Sequence, residues 1–179
     1  MNDDLPVIQR ILAGDPESFR ILVRRYEAPL CRLVRNLTRD PNDWEDLAQD
    51  VFLIAYTRLA TFDGRQASFR TWLFTIARNK CFNALKKRRP VIAEALPEEP
   101  DSRTPELSLC EKEWFRQLDA ALDALPFEQK TAFVLAEIQE LSLEEIVRIE
   151  GVPLGTVKSR LSRAKEKLRS YFRPTVEQP

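Results

Sequence analysis

Residues 141–172 read LSLEEIVRIEGVPLGTVKSRLSRAKEKLRSYF, and this stretch predicts two helices joined by a tight turn. Ser142 and Glu145 have the spacing of a capping box, which marks the start of the first helix. Gly151 is suited to a left-handed helix end, and Pro153 can begin a new helix but cannot continue the old one. The stretch therefore predicts a helix–turn–helix.

The second helix of this pair is predicted to have two unlike faces. One apolar stripe follows a 3.6-residue period: Val157, Leu161, Ala164 and Leu168. The remaining surface is basic, because residues 152–173 hold seven lysines and arginines and a single acid, Glu166. Such a helix suits the major groove of DNA, with cations on phosphates and serine, lysine and arginine side chains at base edges. The alternative, a solvated cationic face on an ordinary helical hairpin, is less favoured because cap, turn and charge occur together.

Composition restricts the class of protein. The chain has 179 residues, only four glycines and no convincing alternating strand pattern, so we expect an all-α fold. It contains no histidine, which excludes histidine-based catalysis and a Cys/His zinc site. The sequence holds no recognisable nucleophile–base pair, metal-ligand cluster or phosphate-binding loop, so it predicts neither an enzyme nor a cofactor.

The charge is unevenly distributed along the chain. The 28 basic and 28 acidic residues give a formal net charge of zero. Residues 113–151 hold nine acids and three bases, and the segment that follows reverses this balance. Such asymmetry is typical of a protein with one DNA-facing side.

The cysteines and the N-terminus indicate where the protein works. Cys31, Cys81 and Cys110 lie far apart in the sequence and predict free thiols in a reducing compartment. The N-terminal residues MNDDLPVIQR lack the basic-then-apolar layout of a signal peptide. No stretch approaches the length and hydrophobicity of a membrane span. We therefore expect a soluble, cytoplasmic protein without membrane insertion.

A proline-rich acidic segment divides the chain. Residues 90–111 contain four prolines and six acids against one base, Arg103, a composition typical of an extended linker. The prediction is an all-α protein with two small helical domains, residues 1–89 and 112–173, joined by this acidic Pro-rich linker. The helix–turn–helix ends the second domain, and residues 174–179 form a predicted tail.

A helix predicted over residues 44–59 mixes acids with apolar residues on its outer face. That face carries Asp46, Gln49, Asp50, Phe52, Leu53 and Tyr56. Aromatic and aliphatic side chains among acids are typical of a protein-docking surface. The alternative, that another helix of the same domain covers Phe52 and Tyr56, agrees equally well with the periodicity.

The next predicted helix, over residues 69–89, carries side chains suited to unpaired nucleic acid. One stripe holds Trp72, Thr75, Asn79, Asn83 and Lys86. An aromatic ring can stack on a base, amides can read its edge, and cations can contact the backbone. The alternative is that Trp72 belongs to the core and that the basic run 86–89 is a solvated helix end that favours the helix dipole.

The order and spacing of these segments resemble a bacterial RNA polymerase sigma factor of the extracytoplasmic-function (ECF) type, the minimal form with regions 2 and 4 only. The resemblance covers nearly the whole chain. Region 2 is represented by DWEDLAQDVFLIAY (43–56) and SFRTWLFTIARNKCFNALKKRR (68–89). Region 4 is represented by LPFEQKTAFVLAEIQELSLEEIVRIEGVPLGTVKSRLSRAKEKLR (125–169).

The resemblance implies promoter recognition together with core RNA polymerase. The polymerase β′ clamp helices would be contacted by Asp46, Gln49, Asp50, Phe52, Leu53 and Tyr56, and region 4 would contact the β flap. The minus-ten element would be bound and opened by Phe62, Gly64, Ser68, Trp72, Arg78, Asn79, Lys80, Asn83 and Lys86. The minus-thirty-five element would be bound by Thr156, Lys158, Ser159, Arg160, Ser162, Arg163 and Lys167. An anti-sigma factor is a further implied partner.

Two other functions use parts of the same pattern. An autonomous helix–turn–helix regulator would bind duplex DNA without polymerase, but it leaves residues 43–89 unexplained and the chain offers no heptad run for a dimer. A sigma-like decoy module in a partner-switching pathway would have lost DNA reading, which the intact basic face over residues 158–169 opposes.

Overall fold

The computed structural model describes residues 4–38, 44–87 and 109–172. Eight α-helices and no β-strand occur within these ranges, and the predicted all-α class is confirmed. The helices are α1 Leu5–Leu12, α2 Phe19–Leu37, α3 Trp44–Thr57, α4 Phe69–Lys87, α5 Leu109–Asp123, α6 Phe127–Phe133, α7 Leu143–Glu150 and α8 Leu154–Phe172.

The start of α5 and the end of α6 were not predicted from the sequence. Helix α6 ends at Phe133, and a π-helical turn continues the segment over Val134–Ile138. The turn is closed by the Gln139 N–H, which donates to the Val134 carbonyl five residues earlier at 2.9 Å. Helix α5 starts at Leu109, inside the segment assigned to the linker. The rest of that segment lies outside the described residues.

The two helix ends that define the helix–turn–helix form as predicted. Ser142 Oγ accepts the Glu145 N–H at 3.3 Å, and Glu145 Oε2 accepts the Ser142 N–H at 3.0 Å, which completes the capping box. Gly151 ends α7 with a left-handed φ of 66°. These local interactions satisfy backbone groups that a helix of eight residues would otherwise leave unpaired.

The capping box predicts a measurable loss of stability. Replacing Ser142 with alanine is expected to lower the free energy of unfolding by about 1 kcal/mol, because the Glu145 N–H loses its acceptor. Urea unfolding followed by circular dichroism measures this change. Ser162→Ala, an exposed serine on α8, serves as the control and should leave the free energy within error. Equal stability of both variants would contradict the assigned cap.

Helices α1 to α4 pack around one apolar core. Its fully buried members include Leu22 and Leu33 of α2, Val51 of α3 and Leu73 of α4. Cys81 of α4 is also buried, and burial raises the pKa of its thiol to about 12. A smaller cluster joins α5 to α8 through Ala121, Leu122, Leu125, Ala164 and Leu168.

The two predicted domains pack directly against each other. Helix α4 contacts α7, and buried residues of both halves belong to one continuous apolar cluster. Gln139, only 3% exposed, bridges the halves with hydrogen bonds to Pro29 and Arg70. The side-chain Nε2 of Gln139 donates to the Pro29 carbonyl at 3.1 Å. The backbone carbonyl of Gln139 accepts from Arg70 Nη2 at 2.7 Å. The assignment of residues 1–89 and 112–173 as separate domains stays a prediction.

Candidate nucleic-acid interface

An apolar groove lies between the start of α2 and the middle of α3. The rings of Phe19 and Tyr56 meet edge to face with centroids 5.0 Å apart. Leu53 stands beside them with 61% of its surface exposed. The full lining is Pro16, Glu17, Phe19, Arg20, Val23, Phe52, Leu53 and Tyr56. Helix α2 thus covers Phe52 only in part and leaves an open apolar surface.

The predicted docking residues divide between this groove and its rim. Phe52, Leu53 and Tyr56 line the groove. Asp46 and Gln49 are exposed on the same helix. Asp50 is exposed as well, and its carboxylate forms an ion pair with Lys80 of α4 at 2.7 Å. The ion pair links the predicted docking face to the predicted minus-ten face.

A second groove runs between the end of α3 and the outer side of α4. Four predicted minus-ten residues line it: Trp72, Asn79, Lys80 and Asn83. Arg58 and Thr61 complete the opposite wall, and neither was predicted from the sequence. Their position follows from the way α3 packs on α4, so the period of either helix alone gave no signal. The groove combines an aromatic ring, amides and cations, the groups that bind an unpaired strand.

The loop 62–68 lies beside the groove residue Trp72. Phe62 packs on Trp72 with ring centroids 5.5 Å apart. Asp63 orders the turn, because its carboxylate accepts the Arg65 N–H at 3.0 Å and Gln66 Nε2 at 3.1 Å. Hydrogen bonds from the Arg65 side chain and N–H lower the pKa of Asp63 to about 2. Ser68 Oγ accepts the Thr71 N–H at 3.1 Å, so Ser68 caps the start of α4.

Arg78 and Lys86 are not part of the groove lining, although Arg78 Nη1 donates to Oδ1 of the lining residue Asn79 at 3.1 Å. The Arg78 guanidinium sits over the rings of Phe82 and Phe127, 5.2 Å and 5.7 Å from their centroids. Lys86 Nζ lies 4.3 Å from the Phe82 centroid. Because Phe127 opens α6, Arg78 contributes to the contact between the two halves. The structure therefore brings Arg78 next to Asn79 but places neither Arg78 nor Lys86 in the groove lining with Trp72 and Asn83.

The predicted minus-thirty-five residues lie along one helix, α8, with unequal exposure. Lys158, Ser162, Arg163 and Lys167 are exposed, whereas Thr156, Ser159 and Arg160 are half-buried. Ser159 Oγ donates to the Thr156 carbonyl of its own helix at 2.9 Å.

Arg160 is held by a buried acid. Its guanidinium pairs with Glu150, whose side chain has no exposed surface. Burial raises the pKa of Glu150, and the bond to Arg160 opposes that rise. Arg160 therefore ties α8 to the end of α7, and this fixes the angle at which α8 is presented. The four exposed residues form the accessible face.

No helix among residues 4–38, 44–87 and 109–172 has the length and hydrophobicity needed to cross a membrane.

Comparison with known proteins gives matches for both halves. Residues 22–91 match the family model for sigma-70 region 2, and residues 115–168 match that for sigma-70 region 4. The ECF RNA polymerase sigma-E factor of Haemophilus influenzae is 35% identical over 186 residues, which covers 97% of each chain. The ECF RNA polymerase sigma factor SigW of Bacillus subtilis is 32% identical and covers 93% of this chain and 95% of that protein.

A solved structure has the same arrangement of helices. The sigma factor RpoE from Bartonella quintana, solved in complex with the anti-sigma factor NepR, aligns with a TM-score of 0.73 at 26% identity. The alignment covers 90% of this chain and 99% of that one.

Proposed function

Because this chain belongs to the extracytoplasmic-function RNA polymerase sigma factors, we propose that it binds core RNA polymerase, recognises two promoter elements and opens the DNA between them. The observation that carries this proposal is the presence of two open grooves and one accessible basic helix on a single chain. The protein acts in the cytoplasm, and it binds and positions DNA without catalysing a reaction of its own.

The apolar groove between α2 and α3 is the proposed site for the polymerase β′ clamp helices. Leu53 is the most exposed large hydrophobic residue of its lining, and the exposed acids Asp46 and Asp50 lie on the same helix. An apolar centre with a charged rim is the usual composition of a specific protein interface. The β flap would contact the second half of the chain.

The groove between α3 and α4 is the proposed site for the opened minus-ten strand. Trp72 offers a stacking surface, Asn79 and Asn83 offer hydrogen bonds to base edges, and Lys80 and Arg58 offer charge to the backbone. The loop 62–68 would receive a flipped base, and unstacking that base costs a few kcal/mol, which stacking contacts of similar size return.

The exposed face of α8 is the proposed reader of the minus-thirty-five element. Lys158, Ser162 and Arg163 would reach base edges, and Lys167 would contact a phosphate. Arg160 is held in an ion pair with Glu150, so it would contribute less to DNA binding than the exposed cations.

The contact between the two halves has to open before both elements can be bound. Elements named for positions minus ten and minus thirty-five are separated by roughly 25 base pairs, or about 85 Å of B-form DNA at 3.4 Å per pair. A compact chain of this length has a radius of gyration of about 16 Å, which corresponds to a diameter of roughly 40 Å. The docked arrangement is too small to span that distance. Polymerase binding would separate the halves and hold them at the required spacing.

An anti-sigma factor would act on the closed form. The relative from Bartonella quintana was solved with such a partner. By covering the apolar groove or the α8 face, a partner of this kind would keep polymerase or DNA away.

The comparison of DNA binding with and without polymerase tests the proposed function. The isolated chain is expected to bind a promoter fragment only at micromolar or weaker affinity, whereas the complex with core polymerase reaches nanomolar affinity at the same salt concentration. Fluorescence anisotropy of a labelled fragment measures both. Nanomolar sequence-specific binding by the chain alone would instead identify an autonomous regulator. Core binding without any promoter preference would identify a decoy module.

A further inference from the structure

Helix α1 packs against the loop proposed to receive a flipped base. A methyl group added at Gly64 would lie 2.5 Å from Leu5 Cδ2 and 3.4 Å from Leu5 Cγ, so the leucine side chain fills the space above this glycine. Helix α1 also contacts the short turn Leu59–Thr61, which leads into the loop. This helix precedes residues 22–91, the range that matches the region 2 family model.

A buried carboxylate fixes α1 to the neighbouring helix. Asp4 is 4% exposed, and its carboxylate accepts hydrogen bonds from the Arg25 guanidinium and, at 2.6 Å, from the Tyr26 hydroxyl. Burial and the bond to Asp4 raise the pKa of Tyr26, so its hydroxyl remains a donor. Burying a carboxylate is costly unless it is paired. The start of α1 is therefore held in one place.

The Tyr26 ring connects the fixed start of α1 to the aromatic residues beside the groove. Its centroid lies 5.3 Å from that of Phe69, which is fully buried. Phe69 in turn contacts Phe62 and Trp72, each with centroids 5.7 Å away. The two aromatic residues nearest to the proposed base site thus rest on Phe69, and Phe69 rests on Tyr26.

We propose that Asp4 and Leu5 are positioning residues for the base-receiving loop. Leu5 fixes the position of the loop by packing against Gly64. Asp4 holds Tyr26, whose ring packs on Phe69. Phe69 in turn fixes the positions of Phe62 and Trp72. Neither residue touches the DNA. The proposal rests on the proposed function, because it requires that the loop receives an unpaired base. A preformed site binds the base without the entropy cost of ordering the loop. A loosened loop therefore loses affinity for that base, whereas the other contacts to the promoter keep their affinity.

A coupling measurement between protein and DNA variants tests the proposal. Complexes of core polymerase with the unchanged chain, Asp4→Ala, Leu5→Ala or Tyr26→Phe are titrated with a promoter fragment whose minus-ten non-template strand is left unpaired. In a series of such fragments, a single abasic site replaces each nucleotide of that strand in turn. For the unchanged chain, the abasic site at the received base is expected to lower affinity about tenfold.

In the three variants, the abasic site at the received base is expected to lower affinity by less than about tenfold, while the contacts to the rest of the promoter are unchanged. We expect about threefold or less for Asp4→Ala and Leu5→Ala and an intermediate value for Tyr26→Phe, which keeps the ring and removes only the hydroxyl. Affinity for core polymerase should not change. Leu12→Ala, on the exposed side of the same helix, is the control and should retain the full penalty.

Two outcomes separate the proposal from the function on which it rests. A full tenfold penalty in all three variants would overturn the positioning role of α1 while leaving the base site intact. No penalty at any position in the unchanged chain would contradict the base site itself and with it the proposed positioning.

Discussion

Replacing Lys158 and Arg163 together with alanine is expected to lower binding of the polymerase complex to its promoter by at least about 30-fold. Each good contact from such a side chain to a base edge contributes about 1–3 kcal/mol of discrimination, so losing two costs at least about 2 kcal/mol. Both side chains are exposed on α8. Folding should be unaffected, because the apolar stripe of the helix is unchanged.

The effect should depend on the sequence of the minus-thirty-five element. On a fragment in which that element is scrambled, the double variant should bind weaker than the unchanged chain only by the smaller factor that the loss of two positive charges causes. The variant Lys165→Ala/Arg169→Ala removes the same charge from the same helix, and Lys165 is already paired with Glu137 at 2.7 Å. This control should weaken binding similarly on both fragments. Equal losses for the two double variants would show that α8 supplies charge and no base reading.

Replacing Leu53 with aspartate is expected to weaken binding to core polymerase by at least about 100-fold. Central interface residues typically cost 2 kcal/mol or more when truncated, and placing a carboxylate in an apolar contact adds a further cost. Leu53 is exposed in the isolated chain, so the substitution should leave the unfolding transition unchanged. Titration of labelled chain with sigma-free core polymerase gives the affinity.

The matched control for this experiment is Leu12→Asp. Leu12 is 53% exposed on α1 and lies outside the lining of the apolar groove. Its replacement introduces the same charge at an exposed leucine and should leave core binding unchanged. Unaltered binding by Leu53→Asp would move the polymerase contact to another face of the protein.

The helix–turn–helix could be predicted from the sequence because its signals are local. The bonds between Ser142 and Glu145 span three residues, and the left-handed turn at Gly151 depends on that residue's own lack of a side chain. The exposed cations of α8 follow from its period and its apolar stripe. In each case the interacting residues are neighbours in sequence, so spacing alone identifies them.

The packing of the two halves could not be predicted in the same way. Helix α4 buries Leu73 among α2 and α3 and Phe74 next to Arg70, which bonds to Gln139 of the second half. A helix covered on two sides has no single apolar stripe from which one partner can be inferred. Gln139 is buried only because Pro29 and Arg70 supply partners from distant parts of the chain.

The lining of the groove between α3 and α4 could be predicted only in part for a related reason. Trp72, Asn79 and Asn83 share a stripe that the period of one helix reveals, whereas Arg58 reaches their groove from α3. Arg78 is close to this stripe in sequence, but the aromatic pair Phe82 and Phe127 holds it at the junction of the two halves. The positions of Arg58 and Arg78 both depend on contacts between helices, which the period of a single helix does not reveal.

Run-off transcription with sigma-free core polymerase tests the central claim most directly. A pool of genomic promoter fragments is transcribed with and without the protein, and the transcript starts are mapped. We predict transcripts that begin only when the protein is present, and upstream DNA that aligns into two elements at a constant spacing. Binding of the protein to core polymerase without any such transcripts would contradict its assignment as an initiation factor.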